Sequence, residues 1–188
     1  MERSSSPSRA KAALFWTLVA GIIAADVITK LIAVNTLIPQ RVPREVFGEW
    51  VRLTLVFNRG AAFGLHLGPW SRGIFLVLTL VALVILARLY RATRPGEVLR
   101  TLALGLVVGG AIGNLIDRIR SPMGVVDFLD IGFRGWRWPT FNVADIAVST
   151  GAILLAFVLW GEEHAGEGEG EPRAEPLAEP QPRVTRGG

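Results

Sequence analysis

Four apolar runs separated by polar stretches set the pattern of the chain. They cover residues 12–34, 73–89, 99–116 and 141–160. Each approaches the roughly 20 apolar residues that a helix needs to cross a hydrocarbon core. Asp26 and Lys30 are the only breaks in the first run. Arg88 lies near the end of the second, where its long stem lets the charge reach the interface. Asn142 and Asp145 fall in the first turn of the fourth. The pattern predicts an all-α polytopic membrane protein with four transmembrane helices. Three parts follow: a polar cytoplasmic lead over 1–11, a four-span domain over 12–160 and a tail over 161–188. The tail is Glu, Gly, Pro and Arg with almost nothing to bury, so disorder is expected there. A basic lead followed by residues 12–25 could also be a cleaved signal peptide. The apolar pattern resumes after Asp26 and runs to Val34, which favours a retained helix.

The polar connections carry structure of their own. Val51-Arg52-Leu53-Thr54-Leu55-Val56-Phe57 alternates and is rich in β-branched residues, which predicts a short strand. Asn58-Arg59-Gly60 then reads as a turn, followed by the small apolar stretch Ala61-Ala62-Phe63-Gly64. A small extracytoplasmic β-element is therefore expected in the loop between helices 1 and 2, lying on the membrane surface. The connection over 121–140 holds Phe133, Trp136 and Trp138, residues suited to the head-group layer.

Composition sharpens this picture. The 188 residues are a one-domain length; 51% are hydrophobic and 19% charged, against about 25% charged in a soluble domain. The chain has no cysteine, which excludes disulfides, thiol catalysis and Cys-ligated metals. Its two histidines, His66 and His164, lie far apart; no metal site and no cofactor are expected. The net charge is +4, from 20 Lys+Arg against 16 Asp+Glu. These cations sit at the borders of the apolar runs, as membrane topology and anionic lipid require, not on one face as nucleic-acid binding would require. Four spans place both termini on one side. The density of cations in the lead and in the 88–100 loop marks that side as cytoplasmic.

Ionisable residues within a membrane are costly, so each needs a reason. Asp26 and Lys30 are four apart on one helix face and can pair; holding helices together is the plainer role, direct catalysis the other. Gly105, Gly109 and Gly113 let helices approach closely. Asn114, Asp117 and Arg118 then share one face at the membrane edge, either as a capped helix end or as part of a site. Asp127 lies in the apolar stretch Val125-Val126-Asp127-Phe128. Asn142 is a candidate N-cap for the fourth helix, and Asp145 a first-turn acid suited to the helix dipole. Span three leaves the membrane near Asp117 and span four re-enters on that side near Asn142, so Asn114, Arg118, Asp127, Asn142 and Asp145 should converge. Two carboxylates sharing a site hold a proton between them. Such a pair can activate a water and protonate a leaving amine. A Ser149–Lys30 pair would need two different helices to meet at matching depth. A small proton- or cation-coupled transporter is the alternative from another class, although the two halves show no repeat. A purely structural subunit would leave the converging polar residues without a joint purpose.

The segments Asp26-Val27-Ile28-Thr29-Lys30, Asn58-Arg59-Gly60-Ala61-Ala62-Phe63-Gly64, Gly113-Asn114-Leu115-Ile116-Asp117-Arg118, Val125-Val126-Asp127-Phe128 and Phe141-Asn142-Val143-Ala144-Asp145 resemble, in order, those of the lipoprotein signal peptidase (signal peptidase II) family. The resemblance covers residues 12–160. It implies a bacterial inner-membrane aspartyl endopeptidase that removes signal peptides from prolipoproteins, cutting before a diacylglyceryl-modified cysteine. It implies Asp127 and Asp145 as the catalytic pair and Asn58, Asn114, Arg118 and Asn142 as substrate-binding or site-supporting residues. Asp26, Lys30 and Asp117 would be structural. It further implies cytoplasmic termini, a site near the periplasmic face, contact with membrane phospholipid, inhibition by globomycin and a monomeric enzyme. An extended substrate clamped by residues 51–64 is the accompanying physical expectation.

Overall fold

The computed structural model describes residues 7–60 and 68–168. The Ala61–Gly64 stretch, His66 and residues 169–188 lie outside these. Four helices carry the fold: α1 (Pro7–Thr36), α2 (Ser71–Ala92), α3 (Val98–Arg120) and α4 (Val143–Gly168). All four are long and apolar enough to cross a membrane. Each helix extends past its apolar run. α1, for example, begins at Pro7 inside the polar lead, because a helix continues into water wherever no residue stops it.

α3 is the central helix. In its most apolar window 56% of residues are buried, against 11–22% in the other three, and its mean hydropathy there is the lowest, 1.6. A helix surrounded by protein needs small residues more than greasy ones. Gly105, Gly109 and Gly113 face Leu18, Ile22 and Asp26 of α1, three pairs at the same four-residue spacing. A Cβ on Gly109 would come within 2.9 Å of Ile22 Cβ, and one on Gly113 within 2.6 Å of Asp26 Oδ2. Gly110 lies against the Ala144 carbonyl of α4, and Gly151 of α4 against the Ala103 carbonyl. The outward faces of α2 and α4 present Val77, Val81, Val84, Ile153 and Phe157, as lipid contact requires.

The β-structure draws on both outer connections. β1 (Arg44–Phe47) and β2 (Val51–Asn58) lie between α1 and α2, β3 (Val125–Phe133) and β4 (Trp136–Arg137) between α3 and α4. They form one antiparallel sheet in the order β1-β2-β3-β4. β4 was not expected, being two residues long, nor was the length of β3, whose alternation is masked over residues 125–130, where both faces are covered. Leu55, Val126 and Phe128 pack on Ala33 and Leu37 at the end of α1. Asp127, between two of these core residues, therefore points to the opposite face. The register of β2 on β3 shifts between Leu53 and Val56, a bulge of the kind that re-aims side chains beside sites.

Candidate active site

Asp127 is fixed by its strand. It pairs with Val56, and Asn58 pairs with Val125, so Asn58 is its diagonal neighbour on one face of the sheet. Asn58 Nδ2 donates to Asp127 Oδ2 at 3.1 Å. The same asparagine closes the turn after β2 by accepting the Gly60 N–H at 2.9 Å. Across the site, Arg118 donates to the Gly60 carbonyl at 3.2 Å, tying that turn to the end of α3. Gly124 (φ +104°) brings the chain into β3 directly against the Asn58 carbonyl, where a Cβ would overlap.

Asp145 is fixed by the start of α4. Asn142 Oδ1 accepts the Asp145 N–H at 2.9 Å, and Asp145 Oδ2 accepts the Asn142 N–H at 3.2 Å. This reciprocal pair is a capping box with Asn and Asp in place of Ser and Glu. Asn142 does more than cap. Its Nδ2 reaches Asp127 Oδ1 at 2.7 Å, so one fully buried residue holds both carboxylates. Asn114 of α3 completes the ring: its Nδ2 donates to Asp145 Oδ1 at 2.8 Å and its Oδ1 accepts from Asn142 at 3.1 Å.

Asp26 and Lys30 lie beneath this ring. Lys30 Nζ is 2.7 Å from Asp26 Oδ2 and 2.9 Å from Asp117 Oδ2, and it donates to Asn114 Oδ1 at 2.9 Å. Asp26 Oδ1 accepts the Ala144 N–H at 2.9 Å, and Asp117 Oδ2 the Val126 N–H at 3.2 Å. The three charged residues thus join α1, α3, α4 and β3. Ser149 and Lys30 show no such contact: Lys30 is committed to these acceptors.

Asp127 is 3% exposed. Burial first, and the charge of Asp145 second, push its carboxyl from the ordinary 3.8 up to about 7, against the opposing pull of Asn58, Asn142 and Lys30. A cavity of about 440 Å³ opens beside the pair toward α3 and α4, lined by Asn114, Asp127, Asp145 and the apolar Val125, Phe141 and Val148. A second, of about 670 Å³, lies on the sheet side and is lined by Gln40, Arg41, Asn58 and Arg59. Asp127 borders both cavities. The arrangement offers two carboxylates held by one asparagine, one of them raised to about 7, and space for a chain passing from an apolar to a polar side.

The family model of signal peptidase (SPase) II, Peptidase_A8, matches residues 18–160. The chain belongs to the signal peptidase II family. The lipoprotein signal peptidase of Syntrophotalea carbinolica is 43% identical over 141 residues, covering 74% of this chain and 86% of that protein. That of Halothermothrix orenii is 42% identical over 147 residues, covering 78% and 94%. A solved bacterial membrane enzyme superposes with a TM-score of 0.73 at 28% identity, covering 85% of this chain and 94% of the other. This family member is thus a multi-pass membrane peptidase, and the transporter alternative has no support.

All the residues singled out as site candidates in this signal peptidase II family member, Asn58, Asn114, Arg118, Asp127, Asn142 and Asp145, come together. Sequence reasoning missed Arg72, which donates to the Arg118 and Ile119 carbonyls at 2.6 and 3.1 Å and so caps α3. It also missed Asp130, buried between Thr54 (2.8 Å) and Arg137 (2.5 Å). Arg137 further holds the Glu49 carbonyl at 2.8 Å, which ties β4 to the turn before β2. The available signal was a second acid three residues after Asp127 in an otherwise apolar strand.

Proposed function

We propose that the chain is an aspartic endopeptidase that removes signal peptides from diacylglyceryl-modified prolipoproteins, cutting N-terminal to the lipidated cysteine. The observation that carries this reading is Asn142, which holds Asp127 through its side chain and Asp145 through its backbone. In this mechanism one carboxylate takes a proton from a water whose oxygen attacks the scissile carbonyl. The other acid gives its proton to the carbonyl oxygen, forming a tetrahedral diol. On collapse, a diol proton returns to that acid, the first acid's proton moves to the amide nitrogen, and the C–N bond breaks. The cysteine leaves with a free amino group. Asn58, Asn114, Asn142 and Arg118 hold the pair and its surroundings, and Asp26, Lys30 and Asp117 serve the helix junction beneath.

The apolar cavity by α3 and α4 suits the lipid-facing part of the substrate, and the cavity with Arg41 and Arg59 suits the chain leaving into water. On this reading the enzyme is a monomer in the bacterial inner membrane and touches phospholipid. Its termini are cytoplasmic, the site lies near the periplasmic face, and globomycin inhibits it. The lead over 1–11 and the tail over 161–188 flank the peptidase domain without taking part. The test is cleavage of a lipidated prolipoprotein by the purified protein, with and without globomycin. Asp127→Asn and Asp145→Asn should each abolish the gel shift of the precursor while the protein still inserts; turnover by either variant defeats the mechanism.

A further inference from the structure

The Asn114 carboxamide stands between a lysine and a carboxylate. The two ends of an amide have nearly the same shape, and only their partners tell them apart. Lys30 Nζ approaches one end at 2.9 Å. An ammonium donates three hydrogens and accepts none, so the end it faces must be the oxygen. The NH2 end is then turned to Asp145, at 2.8 Å. Lys30 itself is closely held: it is 3% exposed, it forms ion pairs with Asp26 and Asp117 at 2.7 and 2.9 Å, and it donates a hydrogen bond to Asn114 Oδ1. Asp26 is in turn anchored on the Ala144 N–H, one residue from Asp145.

We propose that Lys30 is a positioning residue for the aspartate pair, fixing the Asn114 amide so that an N–H is always presented to Asp145, which keeps the negative charge of the pair on Asp145 and the proton on Asp127. Asp145 receives that N–H and the Asn142 backbone N–H, and it stands in the first turn of α4, where the helix dipole favours negative charge. Asp127 lies in the part of β3 where both faces are covered. The charged groups around the pair are Lys30 and Asp26 from α1, Asp117 and Arg118 from α3, and the two aspartates themselves. Asn142 Nδ2 also donates to the Asn114 oxygen, at 3.1 Å, but this is a longer, neutral bond; without the charged donor Lys30 it alone would oppose a turn of the amide that sets its oxygen against Asp145 and repels the carboxylate.

This inference rests on the aspartic-peptidase reading above. The experiment measures kcat and KM against pH for cleavage of a lipidated prolipoprotein by the purified full chain. The double variant Asp26→Asn/Lys30→Met, compared with Asp26→Asn, removes the lysine without stranding Asp26 as a buried charge. Relative to that control, kcat should fall about tenfold with KM nearly unchanged. The acid limb of the profile should move up by about one pH unit, the scale of one hydrogen bond to a charge. In an Asn114→Ala background the same Lys30 change should leave kcat and the acid limb nearly unmoved, because the relay is already cut; only the alkaline limb should still rise, since the charge of Lys30 acts on Asp127 directly.

Equal effects on kcat and the acid limb in both backgrounds, or an unmoved profile with only less folded protein, would overturn the proposal while leaving the peptidase reading intact. No cleavage by the wild-type protein would instead overturn that reading, and this inference with it. Should the double variant not fold, infrared spectra decide. The protonated-carboxyl band near pH 6 should vanish in Asp127→Asn and persist in Asp145→Asn; the reverse pattern overturns the proposal.

Discussion

Replacing Asp127 by asparagine should change how stability depends on pH, independently of any loss of activity. The carboxyl titrates at 3.8 in its ordinary setting and at about 7 in the fold. A raised acid binds its proton more tightly when folded. Well below 3.8 it is neutral in both states and costs nothing. Between pH 4 and 7 the unfolded state ionises first, so folding loses stability as pH rises. Above about 7 the full cost is present. At about 1.4 kcal/mol per unit, a shift of roughly 3 units sets a ceiling near 4 kcal/mol, of which about 2–3 kcal/mol should appear between pH 5 and 8. At 3% exposure solvent screens little of this. The substituted amide carries no charge, but its NH2 must face one of the donors that Asp127 accepts from, Asn142 or Asn58. That penalty is a constant offset across pH. The assay is reversible unfolding in mixed micelles at several pH values, with the difference between variant and wild type plotted against pH. The variant should gain on the wild type by about 2–3 kcal/mol from pH 5 to 8. Parallel curves would mean that Asp127 is not held neutral by the fold, and the shared-proton reasoning would fail.

Three further expectations follow from the geometry. Asn58→Ala removes a donor to Asp127 Oδ2, so the alkaline limb of kcat/KM should shift upward by up to about one pH unit, less where water replaces the amide; a downward shift contradicts the assignment. Gly113→Ala sets a methyl against Asp26 Oδ2 and should cost about 1–3 kcal/mol in the same unfolding assay, with Gly21→Ala, which meets nothing within 4 Å, as the control that carries the helix-propensity gain alone. Gly124→Ala combines a φ of +104° with a clash on the Asn58 carbonyl; the gel-shift assay should show strongly reduced cleavage even where the helices still insert.

The helices were legible because a span must be apolar along its whole length, whatever it packs against. The central place of α3 was partly legible too: its glycines announced close packing, and Gly105, Gly109 and Gly113 do meet α1. The convergence of Asn114, Asp127, Asn142 and Asp145 followed from topology alone, since α3 ends and α4 begins on one side. What the chain could not disclose was the partner of each polar atom. Lys30 was expected to pair with Asp26 four residues away, and it does; that it also reaches Asn114, 84 residues on, depends on the closeness of α1 and α3. The strand Val51–Asn58 showed its alternation, whereas β3, covered on both faces over residues 125–130, read as a plain apolar stretch. Arg72 and Arg137 looked like loop cations because their partners are backbone carbonyls, which carry no sequence signature.

Asn142 and Asp145 stand at the start of the last helix, and every other polar residue that holds the pair precedes them in the chain. A ribosome delivers Asn58, Asn114 and Asp127 first, and none of these has a second carboxylate to work with. The pair comes into being only when α4 forms its first turn, and the hydrogen bonds that begin the helix are the same ones that hold Asp145 in place. On the proposed mechanism, a chain truncated or stalled before α4 therefore has no acid pair and no hydrolytic power, so proteolytic capacity arrives only with the last helix.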